Sequence, residues 1–229
     1  MMEEFFKSSD LFIFTGGLGS GKTEIAVNTA FMLAESGSGV VYIIDLDTIK
    51  PYYRSRHLQE ELGDTGIRIV APPEPYFHAD LPLITPEIKA LLRDRRGKLI
   101  VDLGGDDAGA RVLGFFRDEL ERRQYNLLYV INTSRPYAGS REDIIDMMTG
   151  VERASHLKIT GIINNTHLLW ETTEDVIAGG AEVAREIAEI RSLPLLFHCV
   201  KGDVKVSLPE PVFPLRKLYF APPFDIQSD

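Results

Sequence analysis

Eight consecutive residues, Gly16-Gly17-Leu18-Gly19-Ser20-Gly21-Lys22-Thr23, match the pattern G-x-x-x-x-G-K-[ST] at every fixed position. The residue types suit a phosphate-bearing ligand. Glycines let the backbone take positive φ and bring successive N–H groups around anionic oxygens with no Cβ in the way. Gly17, Gly19, Ser20, Gly21 and Glu24 are the candidates to present those amides. Lys22 supplies a compact cation for the β- and γ-phosphates of a nucleotide, and the Thr23 hydroxyl is a ligand for Mg²⁺. A helical pattern starting at Lys22 adds unpaired amides and a favourable dipole.

Mg²⁺ takes oxygen ligands and keeps several waters, so such a site needs a carboxylate near the metal as well as the hydroxyl. Two apolar runs end in acids. The first is Val40-Val41-Tyr42-Ile43-Ile44-Asp45-Leu46-Asp47, the second Lys98-Leu99-Ile100-Val101-Asp102-Leu103-Gly104-Gly105. Asp102, after its apolar run, suits the metal role. Asp45 and Asp47 lie two apart and share a side while the strand stays extended. Gly104 or Gly105 lets a main-chain N–H approach a γ-phosphate and sense the nucleotide's state. Asp106 and Asp107 read as ordinary acids of a helix's first turn.

These groups have to be carried by elements. Short apolar runs rich in β-branched residues read as buried strands at 11–14, 40–45, 67–71, 98–103, 127–132, 158–163 and 195–200. Helical patterns alternate with them at 22–35, 86–95, 108–123, 141–154 and 174–191. Thr85-Pro86-Glu87 is a start signal, a hydroxyl cap followed by proline at the first helical position. The alternation predicts a three-layer α/β/α fold with a mainly parallel twisted sheet, the phosphate-loop (P-loop) NTPase architecture. Ligands of such sheets bind outside the C-terminal strand ends, where the loop and the acids lie.

Composition narrows the function classes. The 229 residues carry 34 acidic and 25 basic side chains, net −9, which disfavours general binding to nucleic acid or an anionic membrane. No apolar run reaches the roughly 18 to 20 residues needed to span a bilayer, and the acidic start Met1-Met2-Glu3-Glu4 is unlike a signal peptide. The single cysteine, Cys199, excludes an internal disulfide and reads as an inert core thiol. A cytoplasmic protein with one nucleotide-binding domain over 1–229 is expected. Prolines at 209, 211, 214, 222 and 223 mark 206–229 as an extended wrap with an edge strand near 215–220.

With these pieces placed, the chain resembles the MinD/ParA/CobQ–CobB nucleotide-binding family. The carriers are Gly16 to Thr23, Asp45-Leu46-Asp47, Asp102-Leu103-Gly104-Gly105 and Gly161-Ile162-Ile163-Asn164-Asn165, in the family's order across most of the chain. The resemblance implies that Asp47 orients the attacking water, that Asp45 and Asp102 sit around Mg²⁺ through water, and that Asn165 reads the adenine edge. A loop near Val200 to Asp203 would complete the base pocket. ATP is favoured over GTP because Asn164-Asn165-Thr166-His167-Leu168 has no carboxylate to accept from guanine's ring N–H groups.

The chain departs from the family in one place: Gly17 stands where the family carries a second, signature lysine that reaches a dimer partner's nucleotide. Three readings stay open. One is a slow ATPase that switches conformation on a protein partner, with or without a homodimer. Another is a dethiobiotin-synthetase-like ligase or kinase, with Arg54, Arg56 or Arg135 lining a second pocket. The third is a non-hydrolysing regulatory subunit. His57, His78, His156, His167 and His198 show no metal-ligand spacing and read as surface or packing residues.

Overall fold

The structure is a computed structural model, and it describes residues 2–46, 65–70, 85–104, 107–135, 139–202 and 204–216. Asp47, Arg54, Arg56, His57, His78, Gly105, Asp106 and Asp203 lie outside the described residues.

Eight strands form one sheet, every pair in it parallel: β1 Leu11–Thr15, β2 Val41–Leu46, β3 Ile67–Val70, β4 Lys98–Leu103, β5 Asn126–Ile131, β6 Gly161–Asn164, β7 Leu195–Lys201 and β8 Val212–Leu215. Their spatial order is β3-β2-β4-β1-β5-β6-β7-β8. The chain leaves β1 toward one edge, fills back to β4, then crosses β1 to build the other edge. The loop after β1 therefore sits at the topological switch point, flanked by the ends of β4 and β5.

Strand β1 is buried on both faces, as a central parallel strand must be. Leu11 and Ile13 face a core with α3 Pro86–Arg93, α4 Asp107–Phe115, α5 Arg117–Arg123, α6 Arg141–Ser155 and α7 Glu174–Arg191. Phe12 and Phe14 face the other core, with α1 Met2–Ser8 and α2 Lys22–Glu35. There the Phe6 and Phe12 rings meet edge to face at 4.9 Å, and Phe197 meets Phe213 at 5.6 Å. The result is the three-layer α/β/α fold of the P-loop NTPases. Among the described residues, no helix is long and apolar enough to cross a membrane.

Several elements differ from the sequence reading. The helix expected over 108–123 is two helices, because the Phe116 N–H bonds the Leu113 carbonyl at 2.9 Å and tightens the turn there. That turn buries Leu113, Phe116 and Leu120 together and leaves Phe115 exposed. β6 starts at Gly161 rather than Lys158, since residues 158 and 159 spend their N–H groups on the Tyr125 hydroxyl and the Glu152 carboxylate. The tail contributes β8 at Val212–Leu215, while most of the edge strand read near 215–220 lies outside the described residues; β8 tolerates Pro214 because the outer side of its ladder has no partner among the described residues. Helix α1 was not foreseen at all.

Candidate functional site

Gly16 opens the loop at φ 147°, and a Cβ there would sit 2.3 Å from the Val130 carbonyl oxygen of β5. Only glycine lets the loop pass this close to the neighbouring strand. Gly21 caps α2 at φ 90°, where a Cβ would sit 2.2 Å from Asn165 Nδ2. Both positions are set by backbone clearance, so the motif's terminal glycines are geometric requirements of this fold.

The loop's carbonyls are held by side chains from three directions. Lys22 Nζ donates to Gly16 O at 3.0 Å and to Gly17 O at 3.2 Å, folded back across the loop it springs from. Asn165 Nδ2, at the end of β6, donates to Ser20 O at 2.7 Å, and Arg135 Nε, after β5, donates to Gly19 O at 3.1 Å. Within the turn itself, Ser20 N–H donates to Gly17 O at 3.1 Å, so side chains and main chain together fix how the loop's peptide groups are oriented. Ser20 Oγ and Asn132 Nδ2 are buried there without hydrogen-bond partners among the described residues. Buried orphans of that kind carry a desolvation cost that a polar ligand or water would relieve.

On the other flank of β1, Asp45 and Asp102 are direct cross-strand partners of β2 and β4 and are 7 % and 3 % exposed. Thr23 and Glu24 are buried in the first turn of α2, and Glu24 is tied to Asn28 Nδ2 through its main-chain oxygen at 2.9 Å. Thr23 lies in the first turn of α2, while Asp45 and Asp102 lie one residue before the ends of β2 and β4. Gly104 follows directly on β4, two residues after Asp102.

Three site residues were missed from sequence. Asn132 was read only as a strand end, yet its Oδ1 accepts from Ser134 N at 3.0 Å and shapes the turn that carries Arg135. Thr166 Oγ1 bonds Asn164 Oδ1 at 2.7 Å and accepts from Thr133 N at 3.2 Å, joining the exits of β5 and β6. His167 lies beside Gly21, its Nδ1 accepting from Leu169 N at 3.2 Å. Burial first, and the nearby Arg135 charge second, push its pKa down to about 4, so the ring is neutral at pH 7. The available signal was position: each residue lies within three of a parallel strand's C-terminal end.

Behind this edge runs a buried polar chain. The Asn164 amide nitrogen bonds His198 Nδ1 at 3.0 Å, and its Oδ1, accepting from Thr166, fixes the amide's orientation. His198 Nδ1 must then accept, which puts the proton on Nε2, 2.9 Å from Glu210 Oε2. Glu210 is held by Arg185 through two bonds at 2.7 and 2.8 Å, and this pairing lowers its pKa to about 2. The chain fixes Asn164, and with it the backbone from which Asn165 reaches the loop.

No protein-family model matches the chain, and no curated protein matches it in sequence. Solved structures do match in fold. FtsY from Mycoplasma mycoides aligns over 84 % of this chain and 60 % of its own at 17 % identity, with a TM-score of 0.55. Chloroplast FtsY from Physcomitrella patens aligns over 83 % and 58 % at 16 % identity and TM-score 0.56. The signal recognition particle 54 kDa protein from Aeropyrum pernix, in complex with GDP, aligns over 90 % and 46 % at 18 % identity and TM-score 0.51. The chain thus spans between 46 % and 60 % of these proteins' lengths. At such identities the likeness is one of fold.

Proposed function

We propose that the protein is a single Mg²⁺-dependent ATP-binding unit over residues 1–229, a slow ATPase whose bound nucleotide switches its conformation toward a protein partner in the cytoplasm. The observation that carries this is the phosphate loop itself: Asn165 ties back Ser20 O, while Lys22 and Arg135 rest on loop oxygens that a phosphate can replace. On this reading, phosphates bind to the amides of Gly17, Gly19, Ser20, Gly21, Lys22, Thr23 and Glu24, with Gly104 reporting the γ-phosphate. Thr23, Asp45 and Asp102 would hold Mg²⁺, which neutralises phosphate charge when bound. Asp47 would orient the attacking water, and Lys22 would stabilise charge on the transferred phosphoryl group.

Adenine is favoured because residues 164–168 offer amide, hydroxyl and imidazole groups but no carboxylate for guanine's N–H pair. The bound GDP of the Aeropyrum protein makes GTP the comparison to run. Resemblance to the MinD/ParA family supports the switch role, and Gly17 in place of its lysine leaves a nucleotide-bridged homodimer as a separate question. A ligase or kinase would need room for a second substrate beside the loop. Arg54 and Arg56, two of the residues read for such a pocket, lie outside the described residues, and Arg135 lies on the phosphate loop itself.

Calorimetric titration with ATP, GTP and ADP, with and without Mg²⁺, followed by a phosphate-release assay, tests the reading. ATP binding strengthened by Mg²⁺ and slow phosphate release are expected. Tighter binding of GTP would overturn the base assignment. Binding without release, unchanged in Asp47→Asn, would reduce the protein to a regulatory nucleotide-binding subunit.

A further inference from the structure

We propose that Arg135 is a second cation of the phosphate site, supplied by the chain itself from the exit of β5, and that it leaves Gly19 O for a phosphate oxygen when a nucleotide binds. The inference rests on the nucleotide reading above and adds a residue to it.

Four observations lead to Arg135. Strand β5 pairs directly with β1, Thr15 opposite Tyr129, so the turn after β5 is placed beside the loop after β1. That turn is held from within: Ser134 N–H donates to Asn132 Oδ1 at 3.0 Å, Arg135 N–H to Asn132 O at 3.4 Å, and Thr133 N–H to Thr166 Oγ1 at 3.2 Å. The Arg135 side chain then lies along the phosphate loop, its Cδ and Nε each 3.6 Å from where a Gly19 Cβ would be. A Cβ at position 19 would touch it at ordinary contact distance, so the glycine is required by its φ of 73° while the arginine lies against the loop.

The fourth observation is electrostatic. A polyanionic ligand entering this site meets Asp45, Asp102 and Glu24 in a chain of net charge −9. Lys22 is the cation within the loop, and His167, a further basic group beside it among the described residues, is neutral at pH 7 for the reason already given. Arg135 supplies a further positive charge there. Its Nε is the group engaged with Gly19 O, and the four N–H groups on its two Nη atoms form the flat fork that matches phosphate oxygens. An arginine parked on a loop carbonyl gives up one neutral-acceptor bond and gains charge-assisted ones, an exchange in the ligand's favour.

The test compares Arg135→Ala, Arg135→Gln and Arg135→Lys with the parent chain by titration with a triphosphate and the matching diphosphate, thermal midpoints confirming folding. Gln keeps a donor for Gly19 O and loses the charge; Lys keeps the charge. The expected result is a loss of triphosphate affinity of about 10-fold or more in Ala and Gln, a smaller loss for the diphosphate, and recovery of most of it in Lys. A triphosphate-to-diphosphate ratio that stays at the parent value in all three variants would overturn the proposal. So would full rescue by Gln, which would make Arg135 a positioning residue acting through Gly19 O. If the parent chain binds neither nucleotide, the nucleotide reading itself fails. If it binds both and Lys22→Ala abolishes this while the Arg135 variants keep the ratio, only the Arg135 proposal fails.

Discussion

Lys22 and Lys98 are two lysines buried to 5 % and 7 % exposure at opposite ends of one sheet, and they do different work. Lys98 begins β4 at the N-terminal edge, where its ammonium donates to Lys7 O at 2.6 Å, Ser9 O at 2.7 Å and Asp10 Oδ1 at 3.2 Å. Those acceptors are about ninety residues away in sequence and join α1 to the start of β1, so the ammonium fastens tertiary structure. Lys22 begins α2 at the C-terminal edge and donates to Gly16 and Gly17 of its own loop at 3.0 and 3.2 Å. Exchanging these two loop acceptors for a ligand breaks no bond between elements. Burial alone therefore does not separate the two lysines; where these acceptors lie in the sequence does.

The largest separation is expected between the two alanine variants. Lys22→Ala should weaken nucleotide binding by about 100-fold or more, at a stability cost of about 1–2 kcal/mol because Gly16 O and Gly17 O lose a donor. Lys98→Ala should do the reverse, costing about 3 kcal/mol in urea unfolding because two buried carbonyls lose their donor, with nucleotide affinity unchanged. Equal effects of both variants on binding would dissolve the distinction.

Next in size is Gly21→Ala. The residue sits at φ 90° with Asn165 Nδ2 in the space a Cβ would take, so the chain must strain or release Ser20 O. A loss of about 2 kcal/mol in stability, accompanied by weaker nucleotide binding, is expected from thermal melts and titration. Smaller again is a pH effect. The pKa of His167 is lowered from 6.5 to about 4, so the unfolded chain binds a proton that the folded chain refuses. The stability His167 confers by staying neutral is complete above pH 6.5 and is lost as pH falls toward 4, by about 1–2 kcal/mol after allowance for partial solvent access. His167→Asn, which keeps an acceptor for Leu169 N–H, should flatten that limb of the stability profile.

The comparison also shows what could be read in advance. The loop from Gly16 to Thr23 was legible because its chemistry is local: every fixed residue lies within eight positions, next to a strand and a helix whose patterns are also local. β4 at 98–103, α2 at 22–35 and α7 at 174–191 were read with their observed bounds for the same reason. Lys98 was only the first letter of a strand, since its acceptors are set by how α1 and β1 pack. The register of Asp45 on Asp102, the turn held by Asn132 and the seat of His167 arise from strand order, which propensity does not encode. β8 at 212–215 was hard to read because Pro211 and Pro214 argue against a strand, while docking of Phe213 onto Phe197 selects one there.

The most direct measurement is a side-by-side calorimetric titration of Mg²⁺-ATP into the parent chain, Lys98→Ala and Lys22→Ala, at a temperature where all three are folded. The account predicts that Lys98→Ala binds as the parent does and that Lys22→Ala gives no measurable binding. Parent-like binding by Lys22→Ala would contradict it, because the ligand would then be held somewhere other than the phosphate loop.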